Sequence, residues 1–268
     1  MDWSTILTLN AMNRDFYTRR AEEFAATRGG PWRGWLRLLE RLNSCEAPLS
    51  VLDVGCGNGR FGSFLRDNLE VPFRYVGIEF SATALEHARE NLSGMPAVTL
   101  LEHDVTAHLN DRLILPVPND FSLIVLFGFL HHVPGYETRR ALLIDLAGHL
   151  SRRGLLVVSV WQFGRFERFR KKIVPWKDFL ASTGIPIDPE DLEPGDHILS
   201  WGDKDPAYRF CHFSDSEEIS RLVASLPLEC IEVFSADGHT NDLNRYFVLK
   251  RHARESGAAE SRPPLVRF

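Results

Sequence analysis

Three glycines on alternate positions, Gly55, Gly57 and Gly59, carry the clearest chemical signal in the sequence. They follow an apolar run that ends at Val54, and a helix-compatible segment begins directly after them at Arg60. Only glycine lets a backbone turn this tightly and approach a ligand closely. A strand, a glycine turn and a helix N-terminus therefore predict a nucleotide-binding corner. The glycine spacing alone leaves the identity of the nucleotide open.

Carboxylates around this corner narrow the choice of nucleotide. A dinucleotide site has GxGxxG with a pyrophosphate on the helix N-terminus, whereas this chain has GxGxG. Asp53 would disfavour a pyrophosphate, and it suits a ligand that carries an ammonium or a sulfonium group. Glu79 lies about 20 positions beyond Gly59, the distance typical of a carboxylate that binds ribose hydroxyls. The pattern therefore favours S-adenosylmethionine, which carries both cationic groups.

The segments that must position these residues alternate between strand and helix patterns from residue 49 to residue 161. This alternation predicts an α/β fold with a doubly wound, mostly parallel sheet. A helix whose capping box starts at Ser214 and an antiparallel strand pair at the sheet edge follow later. The predicted strands are 49–54, 73–78, 98–101, 121–127, 155–160, 228–234 and 245–250, and the predicted helices are 60–69, 82–91 (capped by Ser81), 137–150 and 214–226.

The regions outside this alternation divide the chain further. Residues 1–42 predict an N-terminal helical arm, with one helix over 13–24 and a second over 32–42. Residues 43–251 predict a single domain. Within it, residues 164–213 are too irregular for another βαβ unit and predict an insertion after strand five that recognises the substrate. Residues 252–268 predict a flexible tail.

Composition excludes several classes of protein. Apolar residues make up 44% of the 268 residues and charged residues 25%, which is an ordinary globular balance. The net charge of −5 gives no global argument for a nucleic-acid partner. No apolar run is long enough for a membrane span, and no signal peptide is recognised. The four scattered cysteines predict reduced thiols in a cytoplasmic protein, without disulfides or a metal site.

The glycine corner belongs to a longer set of motifs: VLDVGCGNG, Glu79 after strand two, Asp104 after strand three, and LHHVP after strand four. Over about residues 48–161 this set resembles the class I S-adenosylmethionine-dependent methyltransferases. The resemblance implies a seven-stranded Rossmann-like sheet and S-adenosylmethionine as methyl donor, with no metal. It also implies that Gly55, Gly57 and Gly59 back the methionine portion, that Glu79 binds the ribose hydroxyls and that Asp104 faces the adenine amino group.

Several outlying segments resemble the tRNA wobble-uridine carboxymethyl methyltransferases, which esterify a carboxymethyl group on an anticodon uridine. The chain departs from that family's pattern at Ser200, Cys211 and Arg245. The resemblance implies tRNA as a partner, a carboxylate as the methyl acceptor and a small activator subunit as a candidate partner. The segments that carry it are Tyr17…Phe24…Thr27-Arg28…Pro31-Trp32, Val160-Trp161-Gln162-Phe163, Asp196…Leu199-Ser200-Trp201, Tyr208-Arg209-Phe210-Cys211-His212-Phe213 and Asn244-Arg245-Tyr246-Phe247-Val248.

This second resemblance also suggests which side chains meet the two ligands. Arg209, His212 and Asn244 are the predicted substrate contacts, since a carboxylate acceptor needs a cation or a hydrogen-bond donor to hold it. Tyr17 and Arg28 are predicted to cover the methionine end of the cofactor. For Arg209 the alternative is an ion pair with an acid of the insertion.

Local charge bears on the nature of the acceptor. Residues 162–177 carry six cations and one acid with aromatic residues between them, a pattern that fits RNA phosphates and an extruded base. The alternative is an amphipathic helix with a solvated basic face, and an acidic run at 188–196 argues against RNA. His131 and His132 are interpreted as packing residues beneath the cofactor rather than as a general base. Methylation of a small-molecule acid and non-catalytic cofactor binding remain as alternative functions.

Overall fold

The computed structural model describes residues 1–20, 22–23, 30–107, 115–202 and 206–252. The described helices are α1 Trp3–Arg19, α2 Arg33–Asn43, α3 Arg60–Asn68, α4 Ala82–Asn91, α5 Tyr136–His149, α6 Glu167–Arg170, α7 Trp176–Thr183 and α8 Ser216–Ala224. The described strands are β1 Leu49–Val54, β2 Phe73–Glu79, β3 Val98–Glu102, β4 Phe121–Leu126, β5 Leu150–Trp161, β6 Ile173–Val174, β7 Asp196–Trp201, β8 Ala207–His212, β9 Leu228–Ala236 and β10 Asn244–Arg251.

A seven-stranded sheet in the order β3-β2-β1-β4-β5-β10-β9 forms the centre of the protein. Strands β1 to β5 are parallel, and β10 pairs antiparallel with both β5 and β9. The predicted doubly wound, mostly parallel sheet is therefore confirmed, together with the antiparallel pair at its edge. Strand order reverses direction at β1, which lies between β2 and β4. Sheets of this kind bind ligands in a crevice outside the carboxyl ends of the strands at this point.

Helices cover both faces of this sheet, so its central strands are apolar on both sides. Leu52 and Leu156 pack on one face in a cluster that includes residues of α5 and α8. Val51 and Val125 pack on the other face against aromatic residues of α2 and α3. Successive side chains of a strand point to opposite faces, and both Val51 and Leu52 are fully buried. This two-sided burial explains the continuous apolar runs in the sequence.

Several element boundaries differ from the prediction. Helix α1 begins at Trp3, ten residues before the predicted start, because the Asp2 carboxylate caps it by accepting a hydrogen bond from Thr5 N. Helix α8 is capped by Asp215, which accepts from two backbone amides, and not by Ser214. Strand β5 begins at Leu150 and pairs with Phe121 across an irregular register. These differences arise at the ends of elements, where a capping contact or an irregular strand register decides the boundary.

The segment after β5 contains structure that the sequence pattern did not indicate. Strands β6, β7 and β8 form a three-stranded antiparallel sheet. Helix α1 packs on β8 and is fixed there by Asn13, whose Oδ1 accepts from Phe210 N at 2.8 Å. The Asn13 amide also donates to the carbonyl of His132 at 3.2 Å, so it joins the small sheet to the central one. In the described part of the chain, no helix combines the length and apolar character of a membrane span.

Candidate functional site

A cavity opens at the carboxyl ends of the central strands, beneath α1. It brings together six of the eight residues predicted to bind the cofactor: Tyr17, Asp53, Gly55, Gly57, Glu79 and Asp104. Gly59 is not part of the lining and instead caps α3, where its backbone is left-handed. Arg28 lies outside the described residues.

The glycine corner has the shape that a close ligand requires. Gly55 has φ of +72° and Gly57 has φ of +55°, values that residues with a side chain rarely adopt. A Cβ on Gly55 would lie 2.5 Å from the ring of Phe129. A Cβ on Gly57 would meet no atom within 4 Å, so the backbone of Gly57 faces open space in the cavity. A ligand can therefore approach the chain closely at this residue.

Glu79 is held at the end of β2 by three backbone amides. Its Oε1 accepts from Phe80 N and Ser81 N, and its Oε2 accepts from Gly57 N at 3.1 Å. A carboxylate has about four acceptor positions, so one position on Oε2 is left for a ligand hydroxyl. Burial raises the pKa of Glu79, and the three amide hydrogen bonds oppose that increase.

Asp53 is the deepest carboxylate of the cavity, with 3% of its surface exposed. Its Oδ2 accepts a hydrogen bond of 2.6 Å from the hydroxyl of Tyr75. Burial raises the pKa of Asp53 to about 7, and the bond from Tyr75 opposes this shift. A buried carboxylate is stabilised in its charged form by a nearby positive charge. The environment of Asp53 thus suits a cationic ligand.

Asp104 follows β3 and also lines the cavity. Its Oδ1 accepts from the amide and the hydroxyl of Thr106, and its Oδ2 accepts from Arg14 at 2.8 Å. Arg14 belongs to α1, so this ion pair ties the N-terminal helix to the central sheet across the cavity. No local pattern indicates this partner, because Arg14 and Asp104 are 90 positions apart along the chain.

Arg60 is a second cavity residue that the prediction missed. It follows the glycine motif directly, at the start of α3, and its guanidinium lies over the rings of Trp32 and Trp35. It donates to the carbonyl of Gly30 at 2.9 Å. Burial lowers the pKa of Arg60, and the nearby Asp53 opposes this decrease. Its position immediately after the glycines was the one signal that could have identified it.

A hydrogen-bonded chain connects the cavity wall to β8. His132 Nδ1 lies 3.1 Å from the carbonyl of Phe210, which can only accept, so Nδ1 carries the proton. His132 Nε2 then accepts from the hydroxyl of Tyr17 at 2.6 Å. The same hydroxyl accepts from Arg209 at 3.0 Å. Tyr17 therefore joins a lining residue of the cavity to Arg209.

Arg209 is 6% exposed and its guanidinium lies among aromatic rings. Its Cζ is 5.2 Å from the ring centroid of Phe16, 5.4 Å from that of Trp161 and 5.5 Å from that of Trp201. A desolvated guanidinium with planar donors is well suited to hold a carboxylate. The structure thus places one of the three predicted substrate contacts beside the cavity wall.

The other two predicted substrate contacts lie elsewhere. His212 is 2% exposed, and its Nδ1 and Nε2 bond to Asp196 and Glu218, each at 2.7 Å. Asn244 donates to the buried carboxylate of Asp237 at 2.8 Å. Neither side chain lines the cavity. Both are engaged by buried carboxylates, so the structure does not bring them to the candidate site.

His212 belongs to a buried ionic network that fixes the small sheet. Arg139 of α5 is fully buried and donates to Glu193 at 2.6 Å and to Glu218 at 2.7 Å. Although burial opposes ionisation of Glu218, its bonds to His212 and Arg139 lower its pKa to about 2. Burial alone would lower the pKa of His212, but its bonds to Asp196 and Glu218 raise it. The network connects α5, the segment before β7, β8 and α8.

Two groups of side chains have a spacing that could hold a metal ion, although none is apparent in the sequence. They are Glu193, Asp196 and His212, and His131, His132 and Cys211. The members of the first group already bond to Arg139 or to one another. In the second group, burial raises the pKa of the Cys211 thiol to about 11, and His132 bonds to Tyr17 and lies 3.1 Å from the carbonyl of Phe210.

Comparison with known proteins agrees with this geometry. Residues 52–156 match the family described as "Methyltransferase domain". A putative methyltransferase of Encephalitozoon cuniculi is 31% identical over 208 residues, which cover 77% of this chain and 82% of the relative. The probable tRNA methyltransferase 9B of Homo sapiens is 27% identical over 154 residues. The tRNA (carboxymethyluridine(34)-5-O)-methyltransferase ALKBH8 of Mus musculus is 26% identical over 146 residues.

The two tRNA-modifying relatives are longer proteins. Their matches cover 56% and 54% of this chain, but only 30% of the human protein and 19% of the mouse protein. Among solved structures, the N-methyltransferase NodS of Bradyrhizobium japonicum, in complex with S-adenosyl-L-homocysteine, superposes with a TM-score of 0.56. It is 16% identical and the alignment covers 92% of this chain and 99% of NodS, so the likeness establishes the fold.

The cavity itself fits the cofactor of this fold. The open backbone at Gly57, the unused acceptor position of Glu79 and the buried Asp53 provide space, a hydroxyl acceptor and a negative charge. S-Adenosylmethionine has a ribose and two cationic groups to meet them. With the family match and the relative covered over most of its length, these features lead to one conclusion: the chain belongs to the class I S-adenosylmethionine-dependent methyltransferases.

Proposed function

We propose that the protein methylates a carboxymethyl group on the wobble uridine of tRNA, forming its methyl ester. The observation that carries this proposal is the buried guanidinium of Arg209, which is held among aromatic rings and bonded to a cavity residue, Tyr17. The printed names of two relatives support this acceptor, since both include tRNA and the name of the mouse protein also includes carboxymethyluridine 34. A carboxylate held by Arg209 would lie next to the cofactor cavity.

The proposed methyl transfer requires no proton transfer by the protein. Bound S-adenosylmethionine supplies a methyl group on a positively charged sulfur. An ionised carboxylate is already a nucleophile, so no general base is needed. Arg209 would fix the acceptor, while the surrounding rings of Phe16, Trp161 and Trp201 exclude water. Alignment and exclusion of water are then the main contributions of the chain.

The acidic run at 188–196 disfavours RNA binding less than its composition indicates. Glu193 is paired with Arg139, and Asp196 with His212, inside the protein. Asp191 accepts a hydrogen bond from the hydroxyl of Thr5. The charge that this segment presents to solvent is therefore smaller than the sequence predicts.

The roles of the cofactor residues form part of the proposal. The loop of Gly55, Gly57 and Gly59 would back the methionine portion, with Asp53 beneath its cationic groups. Glu79 would bind a ribose hydroxyl, and Asp104 would face the adenine amino group. Tyr17 would cover the methionine end, and the same role is proposed for Arg28.

The direct test uses purified protein, labelled S-adenosylmethionine and two kinds of acceptor. One is an anticodon stem–loop that carries 5-carboxymethyluridine, and the other is a small-metabolite extract. Label in the methyl ester of the stem–loop nucleoside, identified by mass spectrometry, is the expected result. Label in small molecules alone would refute the tRNA acceptor, and cofactor binding without any transfer would indicate a non-catalytic protein.

Cofactor affinity should depend on pH through Asp53. Because the pKa of Asp53 is about 7 without ligand, the carboxylate is charged above this pH and protonated below it. A cationic ligand prefers the charged form, so affinity should fall about tenfold from pH 8 to pH 6. Titration calorimetry across this range measures the effect. Asp53→Asn should give a flat profile, and Tyr75→Phe should move the midpoint to higher pH. An unchanged profile in Asp53→Asn would exclude Asp53.

Substitution of Glu79 should weaken cofactor binding selectively. The substitution Glu79→Gln removes the negative charge of the hydrogen-bond acceptor at the end of β2. Hydrogen bonds to charged groups contribute about 1.5–3 kcal/mol. We expect a dissociation constant about 10-fold to 100-fold higher, measured by calorimetry. Glu86→Gln, on the exposed face of α4, is the matched control and should bind normally. Equal affinity in both variants would remove Glu79 from the site.

A further inference from the structure

The segment after β5 presents a group of exposed cations. These residues, here called the basic ridge, are Arg165, Arg168, Arg170, Lys171, Lys172 and Lys177, and all six are exposed. Lys171 pairs with Glu167 at 2.9 Å. Within the described ranges, the other five form no ion pair with an acidic side chain. Uncompensated positive charge is therefore concentrated on this surface.

The backbone of this segment does not form the long amphipathic helix that could account for such a pattern. Helix α6 has four residues and is followed by the two-residue strand β6. Phe163 is fully buried and fixes the start of the segment against Trp161 and Phe213. The cations are thus displayed by several short elements, anchored at Phe163, rather than by one long solvated helix face.

Two cations of the basic ridge lie on aromatic rings that lead to Arg209. Lys172 Nζ is 5.5 Å from the ring centroid of Trp201. Arg168 Cζ is 4.7 Å from the centroid of Phe169, whose ring is in edge contact with Trp161 at 4.8 Å. Both tryptophans are half-buried, and both flank the guanidinium of Arg209. The basic ridge therefore adjoins the proposed acceptor site directly.

We propose that the basic ridge binds the phosphates that flank the acceptor nucleotide of an RNA strand. The inference rests on the proposed function and deepens it, since it makes the acceptor a nucleotide within a polynucleotide and not a free nucleoside. When cationic side chains neutralise phosphates, counterions condensed on the nucleic acid are released, and this release favours binding. Cations that alternate with aromatic rings are typical of proteins that hold single-stranded nucleotides and stack their bases. Trp161 and Trp201 are the rings available to the nucleobase.

Salt dependence of RNA binding tests the ridge. The variant Arg165→Gln/Arg168→Gln/Lys172→Gln removes three ridge cations. The control Arg74→Gln/Arg89→Gln/Arg152→Gln removes three exposed cations, two of which lie near the amino ends of β2 and β5, away from the site. Binding of a fluorescent anticodon stem–loop is measured by anisotropy at several salt concentrations. The ridge variant should bind about 10-fold to 100-fold more weakly, with a slope of log K against log salt that is smaller by about 2–3.

The control and a cofactor titration make the result decisive. The control variant should keep the wild-type slope, and both variants should bind S-adenosylmethionine normally. Equal losses in both triple variants would mean that only net charge matters, and no loss in either would exclude the ridge; each result overturns the inference.

A comparison of acceptors separates this inference from the proposed function. With the wild-type protein, methylation of the stem–loop should weaken with added salt, and methylation of free 5-carboxymethyluridine should not. If neither acceptor is methylated, the proposed function fails, whereas methylation of the stem–loop without salt dependence refutes the ridge alone.

Discussion

Arg209→Met is expected to lower kcat/KM for the carboxymethyl acceptor about 10²-fold to 10³-fold, with S-adenosylmethionine binding unchanged. Methionine fills similar space but cannot hold a carboxylate. Loss of one partner of a buried, hydrogen-bonded charge pair costs about 3–4 kcal/mol, which corresponds to this factor. Steady-state kinetics with labelled cofactor measure the rate, and calorimetry measures cofactor affinity.

Two further variants separate a direct contact from a general disturbance. Arg209→Lys keeps the charge without the planar donors, so it should recover part of the activity. Arg37→Met removes an arginine on α2 that also lies over an aromatic ring, that of Phe234, and neither residue lines the cavity. It should retain wild-type kinetics. Unaltered turnover in Arg209→Met would remove Arg209 from the acceptor site.

Arg139→Met is expected to lower the free energy of unfolding by about 3–5 kcal/mol. The substitution removes the fully buried guanidinium from the partly buried carboxylates of Glu193 and Glu218, and breaking a buried ion pair on one side carries this cost. Urea denaturation followed by circular dichroism measures the change. Because the network joins the small sheet to the core, a separate early transition of the small sheet would agree with the same cause.

The neighbouring Arg140 supplies a matched control for this stability measurement. It lies on the same helix, is 39% exposed at its side chain and pairs with Glu137 at 3.4 Å. An exposed pair of this kind contributes at most about 1 kcal/mol. Arg140→Met should therefore unfold almost like the wild type. Similar losses in the two variants would show that the buried network contributes no more than a surface pair.

The sequence was most informative where local pattern and chemistry agreed. Helix α4 occupies the predicted residues because Ser81 caps it by accepting from Ala84 N, and strand β2 extends one residue beyond its predicted end, to Glu79. The start of α1 was missed because its buried face includes the polar residues Thr5, Asn10 and Asn13. A helix that buries polar side chains has no clear hydrophobic period.

The prediction that both Arg209 and His212 contact the substrate did not take account of the alternation of side chains along a strand. Arg209 and His212 both belong to β8 and are three residues apart. Side chains alternate along a strand, so residues three apart point to opposite faces. Arg209 therefore reaches the cavity wall while His212 turns to Asp196 and Glu218. Arg139 and Glu193 are separated by 54 positions, and no local pattern can reveal such a pair.

The hydroxyl of Tyr17 would be shared between the two proposed ligand sites, since it bonds to His132 of the cavity wall and to Arg209. A cofactor that shifts this hydroxyl would also shift the guanidinium proposed to hold the acceptor. Thermodynamic linkage then makes the effect reciprocal: the factor by which cofactor changes acceptor affinity is the factor by which acceptor changes cofactor affinity. Occupancy of one site would thereby affect the other through the phenol oxygen of Tyr17.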